Sequence, residues 1–199
     1  MNTDQFSEIA KLHLLQSAAT KQRLAESELA PIVSAAQLLS ASFESGGKVM
    51  LCGNGGSAAD CQHIAAEFVS VLTQEFKRPG LKAIALTTDT SLLTAYANDF
   101  GFDGIFARQV ETLGAPGDTL IGISTSGNSK NVIQAVESAR KLKMRMIGLT
   151  GSGGRLRDLV DVVISVPSQS TQHIQEAHIT IGHILCDLVE RHMFDKNTG

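Results

Sequence analysis

The chain has 199 residues, which is enough for one well-buried domain but leaves little for a second. Its composition, 43% hydrophobic and 19% charged, is that of a globular protein, and no apolar run is long enough to cross a bilayer. A net charge of -3 without any basic block argues against partnership with nucleic acid or with an anionic membrane. The N-terminal residues lack the pattern of a secretory signal, so we expect a cytoplasmic protein.

Cysteine usage agrees with that expectation. Cys52, Cys61 and Cys186 are odd in number and far apart, and no two of them have C-x-x-C spacing. This pattern argues against a disulfide framework and against a zinc site built from thiolates. We therefore expect reduced thiols.

Two amphipathic helices are predicted at the start of the chain, over residues 6–24 and 32–43, because apolar residues recur there at helical spacing. Pro31 suits the first turn of the second helix, and Gly46-Gly47 suits its end. The sequence then changes to short, β-rich runs.

Five such runs alternate with helical patterns through most of the remaining chain. The predicted strands span residues 48–52, 81–87, 119–124, 145–150 and 160–166. Apolar strands separated by helices pair in parallel and are covered on both faces. The sequence predicts a doubly wound, mainly parallel five-stranded α/β sheet over residues 47–199, with residues 1–46 as an N-terminal helical pair in the same domain. A ligand crevice is expected at the carboxyl ends of the strands, at a topological switch point.

A glycine-rich turn, residues 53–58, follows the first strand and opens a helix. Backbone N–H groups at such a turn can meet an anion or a polyol. The turn matches the spacing of the dinucleotide fingerprint, but the first acidic residue after the second strand, Asp89, comes too late to hold a ribose. No Gly-Lys-Ser/Thr follows, which excludes a Walker-type loop. The remaining alternatives are a simple connecting turn and a ligand-binding one.

The helix after this turn carries His63 and Glu67 four residues apart, so both side chains lie on one face. An imidazole and a carboxylate at that spacing can share a divalent metal or a substrate proton. A solvated contact on the helix surface has the same spacing. The position of the pair, just after the glycine turn, favours neither interpretation decisively.

The second turn, residues 124–129, places four hydroxyls within six residues at another strand-to-helix junction. One hydroxyl is enough for a helix cap, whereas this turn offers several. Hydroxyls and free amides at a helix N-terminus can surround a phosphate without a lysine or an arginine. The sequence therefore indicates a phosphate site here.

A final helix is predicted over residues 171–194, where polar groups interrupt an apolar pattern. Helical spacing pairs Gln175 best with His178, and Glu176 with His183, while Gln175 and His183 lie about 80° apart around the axis. Helix geometry alone does not choose among these groups. A buried histidine bonded to a backbone carbonyl is an equally ordinary explanation for His178.

Taken in order, the motifs resemble those of the phosphoheptose isomerase family, whose members are sugar-isomerase (SIS) domain proteins. The likeness covers nearly the whole chain, and the order and spacing of the motifs are more specific than any one of them. The motifs are Gly-Asn-Gly-Gly-Ser-Ala-Ala-Asp, Gln-His-x-x-x-Glu, Ala-Asn-Asp-Phe-Gly, Ser-Thr-Ser-Gly-Asn-Ser and Ile-Gln-Glu-x-His-x-x-x-x-His.

The resemblance assigns an expected role to individual residues of this chain. One zinc ion per subunit would be held by His63, Glu67, Gln175 and His183. The sugar would contact Asn54, Gly55, Gly56, Ser57, Asn98 and Asp99, together with Glu67 and Gln175. The phosphate would be held by Ser124, Thr125, Ser126 and Ser129. Lys82 stands where many relatives have proline, but it lies outside these motifs.

The family converts sedoheptulose 7-phosphate to D-glycero-D-manno-heptose 7-phosphate, towards the ADP-heptose of lipopolysaccharide core. Such an aldose-ketose isomerisation moves a proton between neighbouring carbons through an enediol, which needs an acid and a base. We expect Glu67 to move the carbon-bound proton and His183 to serve the oxygens. The resemblance also implies a cytoplasmic homotetramer with active sites where subunits meet.

Two alternatives stay open at this point. One is a non-enzymatic SIS module that binds a replication initiator protein or senses sugar phosphates as a regulator. The other is an isomerase acting on a different phosphosugar, such as an arabinose or hexulose phosphate, because the motifs indicate a phosphate and an enediol more clearly than a carbon number.

Overall fold

The computed structural model describes residues 1–74 and 77–195 of the chain. Helices and strands alternate along these residues, and two short 3-10 turns, Phe102–Gly104 and Arg155–Asp158, join some of them. The helices are α1 (Thr3–Ser27), α2 (Leu29–Glu44), α3 (Gly56–Val69), α4 (Thr90–Phe100), α5 (Ile105–Leu113), α6 (Lys130–Lys141) and α7 (Thr171–Phe194). The strands are β1 (Val49–Gly53), β2 (Ala83–Ala85), β3 (Thr119–Ser124), β4 (Arg145–Thr150) and β5 (Val162–Ser165).

The five strands form one parallel sheet in the order β2-β1-β3-β4-β5. This confirms the predicted doubly wound α/β fold. The chain leaves β1 towards β2 on one side and returns to β3 on the other, so the switch point lies between β1 and β3. In the register of this pair Gly53 faces Ile123, which brings the turns that follow both strands to the same edge of the sheet.

Helices cover both faces of the sheet, as parallel strands require. Along β1 the side chains alternate, and all of them are buried. Leu51 belongs to the buried cluster that includes residues of α2, α3 and α7. Met50 and Cys52 belong to the cluster on the opposite face, with residues of α5 and α6. The core thus lies on both sides of the two strands that flank the switch point.

The two N-terminal helices differ in how they pack. Leu39 and Phe43 of α2 are part of the central core. By contrast, α1 is mostly exposed and runs along α7, and its buried residues are Ser17, Thr20 and Leu24. Large apolar side chains on α1 remain open to solvent: Phe6, Ile9, Leu12, Leu14 and Leu15. This helix presents an uncovered apolar surface.

The observed limits of most strands and helices lie within a few residues of those predicted from the sequence. The exception is a strand that pairs over fewer residues than predicted. The predicted strand at residues 81–87 is only three residues long as β2, because the Leu81 N–H donates to the Phe68 carbonyl at the end of α3 and not to β1. Between β4 and β5 the chain makes a 3-10 turn where a helix would complete the alternation. Over the described ranges, no helix has both the length and the apolarity to span a bilayer.

Candidate active site

The first turn directs α3 away from the carboxyl end of β1. Gly55 precedes the helix with φ +57°, a left-handed conformation that suits glycine. His63 lies two turns into α3, and its Nε2 is 3.3 Å from the Glu67 carboxylate. The Glu67 side chain is 20% exposed and that of His63 is 49% exposed, so the pair lies at a half-open surface and not in the core.

Helix α7 adds a third group to this pair. The Nε2 atoms of His63 and His183 are 2.8 Å apart, and the two rings meet edge to face. One ligand atom from each of His63, Glu67 and His183 can be chosen so that all three lie within 4.8 Å of one another. We call these three residues the HEH cluster.

The HEH cluster fits a zinc ion. Two imidazoles and a carboxylate are zinc ligands, and Zn–N distances of about 2.0–2.1 Å in a tetrahedral site place ligand atoms roughly 3.3 Å apart. The separations of 2.8 Å and 3.3 Å in the cluster need only a small outward movement to reach that spacing. Each group can therefore supply a ligand atom without rebuilding α3 or α7.

Gln175 lies at the same edge of the sheet, next to the first turn. A Cβ built on Gly56 would lie 2.6 Å from the Gln175 Nε2, so glycine at this position leaves the space that the amide occupies. A larger residue at position 56 would displace Gln175. The absence of a side chain at Gly56 lets the Gln175 amide approach the start of α3.

The other polar groups of α7 point elsewhere. The fully buried His178 places its Nε2 3.1 Å from the Thr150 carbonyl, and burial lowers its pKa to about 4. Glu176 faces α1, where it contacts His13 and Ser17. Of the four groups that helical spacing left open, Gln175 and His183 are therefore the two near α3.

The second turn forms a compact hydroxyl cluster at the end of β3. The buried Ser124 Oγ lies 2.9 Å from the Ser129 Oγ and 3.5 Å from the Ser126 Oγ. Gly127 adopts φ +65° and packs against the backbone of Gly153 and Gly154. This glycine contact lets the turn curl back on itself.

A cavity of about 460 Å³ opens beside this turn, and Thr125 and Ser126 are among its lining residues. Ser129 precedes α6 without making a side-chain cap to it. The Val132 N–H donates to the Asn131 Oδ1 at 3.0 Å, so the N–H groups of Lys130 and Asn131 are the ones available to an anion that the hydroxyls surround. Hydroxyl groups, backbone N–H groups and a helix N-terminus, which can together bind a phosphate, are all present at this turn.

A reciprocal amide pair joins the two turns. Asn54 and Asn131 exchange two hydrogen bonds, at 2.9 Å and 2.8 Å, and Asn131 is almost completely buried. The pair connects the start of the first turn to the first turn of α6. It fixes the position of the glycine turn relative to the serine turn.

Asn98 and Asp99 lie in the last turn of α4, where the Asn98 amide donates to the Asp99 carboxylate at 2.8 Å. Asp99 lines a cavity with Tyr96 and Arg108, and no residue of the HEH cluster or of the serine turn lines that cavity. Of these two predicted sugar contacts, Asp99 thus lines a different cavity from the one beside the serine turn.

Asp60 is a carboxylate near His63 that the sequence analysis did not single out. Its Oδ2 is enclosed and has no hydrogen-bond partner among the described residues. Burial raises the pKa of its carboxyl to about 6, and the nearby His63 opposes that rise. The three-residue spacing between Asp60 and His63 on α3 was the available signal, because residues at i and i+3 share a helix face.

The cysteines are free thiols in the core. Burial raises the pKa of Cys52 to about 12 and also raises the pKa of Cys61 and Cys186. All three are held as neutral, unreactive groups. They take no part in the site.

Comparison with known proteins adds to this geometry. Residues 14–151 match the family model of the SIS domain. A phosphoheptose isomerase of Roseiflexus sp. is 56% identical over 177 residues, which cover 88% of this chain and 89% of that protein. One from Pelodictyon phaeoclathratiforme is 51% identical over 188 residues, covering 94% of this chain and 89% of that protein.

Solved structures agree over nearly the full length. A phosphoheptose isomerase from Neisseria gonorrhoeae superimposes with a TM-score of 0.87 at 45% identity, covering 92% of this chain and 98% of that one. With the SIS model, the curated relatives and the shared fold in agreement, the chain belongs to the phosphoheptose isomerase family of SIS-domain proteins.

Proposed function

We propose that this protein is an isomerase that converts sedoheptulose 7-phosphate to D-glycero-D-manno-heptose 7-phosphate through an enediol, in the biosynthesis of ADP-heptose for lipopolysaccharide core. The observation that carries the proposal is the convergence of His63, Glu67 and His183 at the switch-point edge of the sheet. A protein that only bound sugar phosphates would need the serine turn but not this acid-base cluster. Membership of the phosphoheptose isomerase family supports the same activity.

Substrate binding follows from the two turns. The phosphate would be held at the N-terminus of α6, where positive dipole ends and hydroxyls favour a dianion. Its ligands would be Ser124, Thr125, Ser126 and Ser129. The sugar would extend from there along Asn54, Gly55, Gly56 and Ser57 towards the HEH cluster. Glycines in this turn allow hydroxyl groups to approach the backbone closely.

Two residues of the HEH cluster would move the protons. Glu67, partly shielded from water, would take the proton from C1 of the ketose and return it to C2 of the aldose. His183, whose Nε2 faces the cluster, would exchange protons with the oxygens on those carbons. Both roles require that the Glu67 carboxylate and the His183 Nε2 are not bound to a metal while they transfer a proton. His63 and Gln175 would position these groups and the sugar.

We also propose that zinc is the cofactor, one ion per subunit. His63, Glu67, Gln175 and His183 would hold it, and the donor set and separations of the HEH cluster support this assignment. When bound, zinc would supply Lewis-acid stabilisation to a negatively charged oxygen of the sugar. The buried, protonated thiols of the chain are not candidates as ligands.

The assembly proposed here is a cytoplasmic homotetramer with sites at subunit interfaces. Two observations support it: α1 leaves several large apolar side chains exposed, and Asp99 lines a cavity that no residue of the HEH cluster or of the serine turn lines, beside a Phe100 that is 75% exposed. A neighbouring subunit would cover these apolar groups. No nucleic acid or membrane partner is proposed.

We infer that residues 1–46 belong to the same domain as residues 47–199. The supporting observation is that Leu39 and Phe43 of α2 share a buried cluster with Leu51 of β1. The last residues of that range, 196–199, and residues 75–76 lie outside the described part of the chain.

The deciding experiment is isomerisation in deuterated water. Zinc-loaded protein and sedoheptulose 7-phosphate should yield the aldose phosphate with deuterium at C2, and recovered ketose should carry deuterium at C1. Glu67→Gln and His183→Gln should each lower turnover at least about 100-fold, the range expected for loss of a general acid or base. Size-exclusion profiles should show that both variants assemble like the parent protein.

Three results separate this proposal from its alternatives. Binding of the ketose without proton exchange would identify a binding or regulatory module. Exchange that is faster by an order of magnitude with arabinose 5-phosphate would assign the enzyme to another phosphosugar. Near-normal turnover of either variant would remove that residue from the chemistry.

A further inference from the structure

A second polar cavity, of about 490 Å³, lies between α1 and the start of α7. It is lined from α1 by residues that include His13 and Arg23, and from the chain before and within α7 by residues that include Ser170 and His173. No residue of the HEH cluster and no residue of the serine turn lines it. The cavity adjoins the one beside the serine turn at Ser168, which lines both, but none of the proposed catalytic or phosphate-binding side chains lines it.

The only charged side chain that lines this cavity, among the described residues and with histidines neutral, is positive. Its lining contains a guanidinium, two imidazoles, hydroxyls and amides, but no carboxylate. The Arg23 guanidinium donates only to the Thr20 hydroxyl at 3.2 Å and to the Pro167 carbonyl at 3.3 Å. Within residues 1–74 and 77–195, no carboxylate makes an ion pair with it. A cation that faces a cavity without a counter-ion is suited to an anionic ligand.

His173 supplies a second, independent sign of a missing ligand. The residue is only 6% exposed, and its Nε2 has no hydrogen-bond partner among the described residues. Its ring lies edge-on to that of His13, with centroids 4.6 Å apart. A buried polar nitrogen without a partner costs free energy, and a bound acceptor would recover it.

Glu176 is the carboxylate bonded to a lining residue, and it is held by donors of its own. Glu176 sits behind His13, accepts hydrogen bonds from Ser17 and the His13 ring, and lies 3.9 Å from the Lys21 ammonium. These donors hold the pKa of Glu176 below its usual range, so the carboxylate stays ionised, and the Lys21 ammonium offsets part of its charge. Among the residues that line the cavity, Arg23 supplies the positive charge, and the start of α7, which has no side-chain cap, adds the positive end of a helix dipole.

We propose that this cavity is a second binding site for a phosphate monoester group, distinct from the serine turn. The planar fork of Arg23 matches two phosphate oxygens, and the Nε2 of His173, which has no partner among the described residues, can donate to a third. The volume accommodates a sugar-sized phosphorylated metabolite.

The test is calorimetric titration of the zinc-loaded protein with inorganic phosphate, at ionic strength held constant with chloride. The parent protein should bind two phosphates per chain. Ser126→Ala/Ser129→Ala should lose the phosphate at the serine turn and keep the other. Arg23→Gln and His173→Gln should do the reverse, with affinity for the second phosphate at least about tenfold lower, as expected when a charged hydrogen bond is lost.

Lys11→Gln is the matched control, because it removes one positive charge from the exposed part of α1 without touching the cavity. It should bind phosphate within about twofold of the parent, since exposed charges at a distance are screened. If Arg23→Gln lowers the melting temperature, Arg23→Lys keeps the charge, removes only the fork and should still weaken the second phosphate severalfold.

A single phosphate per chain in the parent protein, or a second phosphate unaffected by Arg23→Gln and His173→Gln, would overturn the proposal. The readout does not depend on turnover. Binding of two phosphates without isomerisation of the heptose phosphate would support this site and contradict the proposed function. Isomerisation with only one bound phosphate would support the proposed function and contradict this site.

Discussion

Arg78 and Glu190 form an ion pair at 2.6 Å in which neither side chain is exposed to solvent. The same guanidinium donates at 2.9 Å to the carbonyls of Glu67 and Phe68, at the end of α3, while Glu190 belongs to α7. Arg78 thus ties together the two helices that carry the HEH cluster. Its partners lie in the backbone next to the proposed base.

Arg78→Met should destabilise the protein by about 3–5 kcal/mol, because it leaves the Glu190 carboxylate buried without its counter-charge. Chemical denaturation at a fixed protein concentration measures this loss. The variant should also lower turnover, since the end of α3 loses two anchoring hydrogen bonds.

Lys130→Met is the matched control, because Lys130 and Asp103 form an exposed pair at 3.8 Å. It should cost no more than about 1 kcal/mol. An Arg78→Met variant as stable as this control would show that the buried pair contributes little. Adding Glu190→Met should be non-additive by about 1–3 kcal/mol, as contacting residues are coupled.

Zinc binding should depend on the HEH cluster and not on the neighbouring histidine of α7. His63→Gln and His183→Gln each remove a proposed ligand, so zinc affinity should fall more than about 100-fold, beyond the effect of losing a supporting residue. His178→Gln should retain one zinc per chain, because His178 bonds to Thr150. Metal analysis after dialysis against a weak chelator measures the zinc content of the three variants. Zinc retained by both His63→Gln and His183→Gln would contradict the assignment.

Stability should fall in acid because of His178. Its pKa is about 4 in the folded protein and 6.5 when unperturbed, so the unfolded chain binds the proton more readily between these values. The contribution of the neutral ring is complete above pH 6.5 and is lost as the pH falls towards 4. A shift of this size corresponds to about 3 kcal/mol.

His178→Gln removes that titration and keeps a donor for the Thr150 carbonyl. The free energy of unfolding of the parent protein should therefore fall by about 3 kcal/mol relative to the variant between pH 6.5 and pH 4. Denaturation curves at several pH values, at equal protein concentration, give this difference. Parallel pH profiles for the two proteins would show that His178 does not titrate in this range.

Gly127→Ala should disrupt the serine turn. The residue has φ +65°, and a Cβ would lie 2.8 Å from the Gly154 Cα. We expect a loss of about 1–3 kcal/mol in stability together with a higher KM for the phosphosugar, because the hydroxyls lose their arrangement.

Gly46→Ala separates the cost of a positive φ from the cost of close packing, because Gly46 also has a positive φ (+80°) but has open space around it. This variant should show the conformational cost, about 1 kcal/mol, with an unchanged KM. Equal effects of the two substitutions on KM would mean that the close packing of Gly127 is not what shapes the turn.

The sequence by itself determined the fold class and which candidate site residues lie together on one element. Apolar periodicity predicted α7 with the limits that it has, because a long amphipathic helix is specified by residues near one another. His63 and Glu67 were paired correctly for the same reason, since a spacing of four residues is local. The length of β2 was overestimated because its ends depend on which distant backbone its N–H groups meet.

Only the tertiary structure decided which distant groups meet. The contact of His63 with His183 spans 120 residues of sequence, and it exists because α3 and α7 pack on the same face of the sheet. The same packing buries the ion pair of Arg78 with Glu190. Burial and long-range partners arise from the arrangement of whole elements, and periodicity in a sequence reports only the face that each element turns inward.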